Sequence, residues 1–199
     1  MSGTKMKTSR LEAFSDGVLA IIITIMVLEL NVPHTVELSA LKPLLPVLLS
    51  YVLSFIYLGI YWNNHHHLFQ ATDQVSGGIL WANLHLLFWL SLFPFTTGWM
   101  GENGLSPTPT AVYGFVLLMA AIAYQILEHT IIAKEGRGSL LARAVGIDWK
   151  GKLSSVFYLA AIPLAFVSPW IAAGLYVFAA LLWLILDPRI EKEIEKREE

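Results

Sequence analysis

Side chains able to do chemistry are rare in this chain and gather in a few places. Ser15 and Asp16 lie early in the first apolar stretch, and Trp62-Asn63-Asn64-His65-His66-His67 closes the second. Trp81, Asn83 and His85 open the third, and Gln125, Glu128 and His129 close the fourth. Such imidazole, carboxylate and amide groups can bind a metal, sense protons, or tie apolar segments together by hydrogen bonds. The histidine triplet suggests a metal. Adjacent histidines on a helix point about 100° apart, so at most two can share a site. No acidic or further histidine partner stands at the useful i,i+4 spacing, so no metal is expected. A proton-sensing role stays open, because imidazole titrates near neutral pH. The chain has no cysteine, which removes disulfides and thiolate chemistry.

The elements that carry these groups are apolar. Only 14% of the 199 residues are charged and 56% are hydrophobic, against about 25% charged in a soluble domain. With a mean hydropathy of +0.61, most of the chain belongs in lipid. The net charge of −2 gives no reason to expect a nucleic-acid partner. Lys5, Lys7 and Arg10 precede an apolar run, as in a secretory signal, but Val18–Leu30 ends without a small-residue cleavage site and reads as a membrane helix.

A membrane helix needs about 20 mostly apolar residues. Stretches near 11–31, 43–69, 79–99, 110–133, 153–168 and 170–187 meet or approach this, the last two joined as a tight hairpin at Ser168-Pro169-Trp170. Pro94 and Pro163 fall inside spans, where neighbouring helices are expected to satisfy the freed carbonyls. With the N-terminus in the cytoplasm, every Lys and Arg except Lys42 falls inside, a strong positive-inside signal. Trp99, Tyr113 and Trp170 then fall at the outer interface. The predicted fold is an all-α membrane protein of six transmembrane helices with both termini cytoplasmic. Residues 1–10 form the cytoplasmic N-terminus, 11–187 one membrane domain, and 188–199 a charged cytoplasmic tail.

Ser9-Arg10-Leu11-Glu12 fits a capping box, predicting a helix start near Ser9. On that helix Arg10, Phe14, Gly17, Ile21, Thr24, Ile25, Leu28 and Val32 form one stripe, with Ser15 and Asp16 pointing well away. The stripe can pack on neighbouring helices or lipid. It can also line a pore, where symmetry copies would bring Ile21, Ile25 and Leu28 into rings that gate by dewetting, with Thr24 the only hydroxyl at that depth. Asp16 in lipid costs about 2.5–3.5 kcal/mol on insertion scales, so it needs partners. Imidazole or amide donors of the second and third helices, at the same cytoplasmic depth, can supply them.

Arg10-Leu-Glu-Ala-Phe14-Ser15-Asp16 resembles the R-x-x-x-F-S-D signature opening the first helix of the transmembrane protein 175 family, the lysosomal and prokaryotic potassium channels. Tyr61-Trp62-Asn-Asn-His65-His66, Leu80-Trp81-Ala-Asn83 and Leu92-Phe93-Pro94-Phe95 are similar to its second and third helices. The resemblance implies a potassium channel, a homotetramer of the prokaryotic single-repeat type in the inner membrane, lined by the first helices. It implies a hydrophobic gate at Ile21, with Ile25 and Leu28 facing the pore and Thr24 serving selectivity. It also implies that Phe14, Ser15 and Asp16 hold the first helix against the second and third. Asp16 and Ser15 are expected to pair with His65 or His66 and Asn83, close to Trp62, while Arg10 faces the cytoplasmic vestibule or ties the motif's backbone. No cofactor is implied, only permeant K+, with H+ or Na+ as alternatives. No Thr-Val-Gly-Tyr-Gly loop occurs, so selectivity must come from something other than a carbonyl cage. A secondary transporter would show broken helices and an inverted repeat, neither of which is visible. A membrane metalloenzyme would need more ligands than the chain offers.

Overall fold

In a computed structural model, described over residues 8–72, 74–136, 138–145 and 149–184, the regular elements are helical throughout. They are α1 (Thr8–Met26), α2 (Leu45–Gln70), α3 (Gly77–Ser91), α4 (Phe93–Glu102), α5 (Pro107–Glu135), α6 (Leu140–Val145), α7 (Trp149–Val167) and α8 (Pro169–Leu184). Tight 3-10 turns at Val27–Glu29 and Leu38–Leu44 extend α1 and lead into α2.

Among the described residues five segments are long and apolar enough to cross a membrane: Thr8–Glu29, Leu38–Gln70, Gly77–Glu102, Pro107–Glu135 and Trp149–Val167. Pro169–Leu184 is apolar but only 16 residues long as described, about 24 Å at 1.5 Å per residue, short of a full crossing. The end of the expected sixth span, the 188–199 tail and residues 1–7 lie outside the described residues. Ser168 alone separates α7 from α8, giving the tight hairpin.

Helix ends follow local chemistry. The Ser76 hydroxyl caps α3 by accepting from the Ile79 N–H, and Pro46 and Pro107 sit in first turns, where a missing N–H costs nothing. Two sequence expectations need correction. Ser9 is not a cap: the helix already includes Thr8, and Glu12 is bonded elsewhere. The third span is broken at Leu92, because Pro94 offers no N–H to the carbonyl four residues back. Leu92 N–H donates to Trp89 O (3.2 Å), Ser91 Oγ to Phe88 O (2.7 Å) and Thr96 Oγ1 to Leu92 O (3.1 Å). Pro163, by contrast, leaves α7 continuous.

α5 is the central post, packed along α3 on one side and α7 on the other, with α8 against α7 and α4 against α2. Half of its most apolar stretch is buried, against 28% for α1, which leans on α2, α3 and α4 at the margin. The aromatic centre is Tyr57, Phe93, Tyr113, Tyr158 and Tyr176, with neighbouring rings 5.6–6.5 Å apart in tilted or edge-on contact. In lipid each hydroxyl needs an internal partner. Tyr57 donates to Tyr176 O (2.6 Å) and Tyr176 to Thr110 O (3.0 Å), while Tyr113 and Thr97 share Ser54 at 2.9 and 2.6 Å. Tyr113 is therefore a core residue, 1% exposed, and not the interface anchor its sequence position suggested. Gly114 has no side chain because the Tyr176 phenol occupies that space.

Candidate pore face and its polar anchor

α1 has one face turned into the protein and one turned out. Leu11, Ser15, Leu19, Ile22 and Met26, at steps of three and four, are buried on α2, α3 and α4. The opposite stripe is exposed. Ile21 is 58% exposed, Ile25 43%, Leu28 77% and Val32 79%, with Arg10, Phe14, Gly17 and Thr24 exposed beside them. The Thr24 hydroxyl donates to the Ala20 and Ile21 carbonyls, both at 3.0 Å. Its proton is thus committed to the helix, and its lone pairs are left to face outward.

The inward face is held by a short relay across three helices. Ser15 Oγ donates to Leu11 O (2.9 Å), so its oxygen can accept from Asn83 Nδ2 (2.9 Å) on α3. That fixes the amide orientation, and Asn83 Oδ1 must then accept from His65 Nε2 (2.8 Å) on α2. Ser15 and Asn83 are fully buried and His65 is 1% exposed. With its proton on Nε2, His65 leaves Nδ1 a bare acceptor, buried without a partner, as is Nδ1 of His67.

A second, more exposed rung lies beside the relay. Trp62 Nε1 donates to Asp16 Oδ1 (3.1 Å), and His66 Nδ1 meets Glu12 Oε1 (2.8 Å). Gln70 Nε2 donates to His66 Nε2 (2.9 Å), which puts the imidazole proton on Nδ1, toward Glu12. The Trp62 and His66 rings stack 14° from parallel. Residues 12 and 16 of α1 thus grip residues 62 and 66 of α2, each pair one helical turn apart.

The sequence expectation differs here in three ways. Asp16 bonds the Trp62 indole, not His65, His66 or Asn83; at its position on α1 the carboxylate reaches the α2 rim while Ser15 takes the buried place. Phe14 is 52% exposed and turns outward with the stripe, whereas Ser15 and Asp16 bond to α3 and α2. Glu12 and Gln70 were missed, although the matched i,i+4 spacings of Glu12 with Asp16 and Trp62 with His66 carried the signal. His85, Gln125 and His129 bond outside the anchor. Trp89 Nε1 donates to His85, Gln125 to Ser155 on α7, and His129 Nδ1 lies 2.7 Å from Gln125 O. Among the described residues no group of three or more His, Cys, Asp or Glu is placed to hold a metal.

These features define an integral membrane protein of packed helices, with its first helix anchored through polar groups on one side and open on the other. Residues 10–94, which contain the stripe and all of the anchor, match the family model of the endosomal/lysosomal potassium channel TMEM175. A potassium channel of Chryseobacterium sp. (strain P1-3) is 56% identical over 191 residues, 96% of this chain and 100% of that protein. The crystal structure of a lysosomal potassium-selective channel TMEM175 homolog from Chamaesiphon minutus superposes with a TM-score of 0.78 at 28% identity, over 90% of this chain and 97% of that one. An endosomal/lysosomal proton channel TMEM175 of Gallus gallus is 40% identical over 83 residues, 36% of this chain and 17% of the chicken protein. The chain belongs to the TMEM175 family, a family of ion channels and not of enzymes.

Proposed function

We propose that this chain forms a potassium-permeable channel, a homotetramer whose central pore is lined by the open stripe of α1. The carrying observation is the contrast between its faces: Ile21, Ile25 and Leu28 stand exposed while Leu19, Ile22 and Met26 on the opposite face are buried. Four copies around one axis would remove these aliphatic side chains from lipid and set them in rings. A dry ring of that kind opposes ion passage until it widens and wets. Thr24, one turn beyond Ile21, would supply a ring of hydroxyl oxygens whose lone pairs are free to meet a dehydrating cation. This would serve selectivity without a Thr-Val-Gly-Tyr-Gly loop. The Ser15–Asn83–His65 relay and the Asp16–Trp62 bond would hold the lining helix at a fixed rotation, and Arg10 would face the cytoplasmic vestibule.

In this reading the chain has six spans, residues 11–187 being the channel domain. The N-terminal residues 1–10 and the tail 188–199 lie in the cytoplasm of a prokaryotic cell, with the channel in its inner membrane. The names of the Chryseobacterium and Chamaesiphon relatives favour K+ as the permeant ion. The name of the chicken relative keeps proton permeation as a second reading.

Reversal potentials of purified protein in planar bilayers test both. Under opposed K+ and Na+ gradients the potential should follow the K+ equilibrium value; following an imposed pH gradient would select the proton reading. A stoichiometrically coupled flux with no channel current would reject both.

A further inference from the structure

We infer that Gly98 on α4 is a seat for the Glu29 side chain, and that this seat fixes the outer turn of α1 and with it Leu28. The inference rests on the pore reading for its consequence, but the contact stands on its own geometry. α1 tightens into a 3-10 turn at Val27–Glu29, which carries Leu28 outward and swings Glu29 back onto α4. There Gly98 is buried, and a Cβ built on it would lie 2.8 Å from Glu29 Oε2 and 3.1 Å from Glu29 Cδ. The carboxylate therefore occupies the volume any other residue would fill. Among the described residues the Glu29 side chain has no ion pair or hydrogen bond, and the notch at Gly98 is where it rests.

The wall behind the notch is firm. α4 is tied to α2 and α5 through Thr97, Ser54 and Tyr113, and Gly101 lies against the Val47 backbone, so close that an added Cβ would stand 2.7 Å from Val47 Cα. The polar relay holds the inner part of α1 at Ser15. The outer turn, some two turns beyond Ile21, has the Glu29 seat instead. Leu28 is the most exposed of the three proposed gate residues and the one adjacent to the seat, so unseating Glu29 should loosen the outermost ring first.

The contact allows a clean cycle, because the clashing atoms are the free end of a flexible side chain and not backbone. Gly98→Ala should push Glu29 off while leaving the fold intact, read as unchanged gel-filtration volume and melting temperature in detergent. Glu29→Ala removes the same contact from the other side. Each should raise resting K+ leak from liposomes by about threefold, the scale of a substitution acting through a packed two-state element. The double variant should leak no more than either single. Glu29→Gln, which keeps the shape and removes the charge, should leak like the native protein. Leak unchanged in both alanine variants, effects that multiply in the double variant, or a Gln variant as leaky as the Ala one would each overturn the seat. If the native protein carries no ion current at all, the pore reading fails instead. The seat would then be read from the mobility of a spin label at position 28, which Gly98→Ala should raise and which, unchanged, would reject it.

Discussion

α1 and α5 are both long apolar helices of the same bundle, yet they use their surfaces in opposite ways. α5 is buried over half its most apolar stretch and meets α3 and α7 along its length. Its position is set by area and by tight fits such as Tyr176 on Gly114. α1 is buried over only 28%. To the buried Leu11, Leu19, Ile22 and Met26 it adds a few directional contacts: the Ser15–Asn83–His65 relay, the two carboxylate rungs to Trp62 and His66, and the Glu29 seat. A helix held this way keeps a whole face unpartnered, which a pore lining requires and a central post does not allow.

The contrast can be broken first at the relay. Asn83→Ala leaves the His65 Nε2–H buried without an acceptor and should destabilise the protein by about 2 kcal/mol, measured by thermal unfolding in detergent. A smaller cut on α5 that orphans no polar group, Ala120→Gly, should cost only about 1 kcal/mol, mostly helix propensity. Next comes the open face. Ile21→Asn puts an amide into the proposed constriction and should raise resting leak severalfold in liposome flux with little change in melting temperature, because Ile21 is 58% exposed in its own chain. Unchanged leak there, and in the Leu28→Asn counterpart, would remove α1 from the pore wall. Thr24→Ala should lower the K+ to Na+ permeability ratio measured from reversal potentials while leaving stability native, since the hydroxyl bonds only its own helix.

The exposed rungs come last. Asp16→Ala frees the Trp62 indole, and as the bond is largely exposed the loss should be about 0.5 kcal/mol. Glu12→Gln keeps an acceptor for His66 and removes only a partly screened charge, so its effect should be about 0.3 kcal/mol. A larger loss from Glu12→Gln than from Asn83→Ala would invert the comparison, making charge rather than buried hydrogen bonding the fastening of α1.

Much of this was readable before any coordinates. The deficit of charge and the lengths of the apolar runs located the membrane segments, and the α1 stripe followed from spacing alone. These are local properties: hydropathy sums over neighbours, and a helix repeats every 3.6 residues wherever it sits. The sequence also grouped Ser15, Asp16, Trp62, His65, His66 and Asn83 at one end of the bundle, because antiparallel spans bring those positions to one depth.

Which of these groups touch was decided only by the packed helices. Residues 46 to 68 positions apart meet according to helix rotation and height, and a rotation of one residue moves a side chain by about 100°. That is why Asp16 reaches Trp62 while Ser15 takes Asn83, and why Glu12 joins the grip. It is also why Tyr113 turns inward to Ser54 instead of outward to the membrane surface. Depth and facing come from the order of residues along each helix; partners come from how the helices lean on one another.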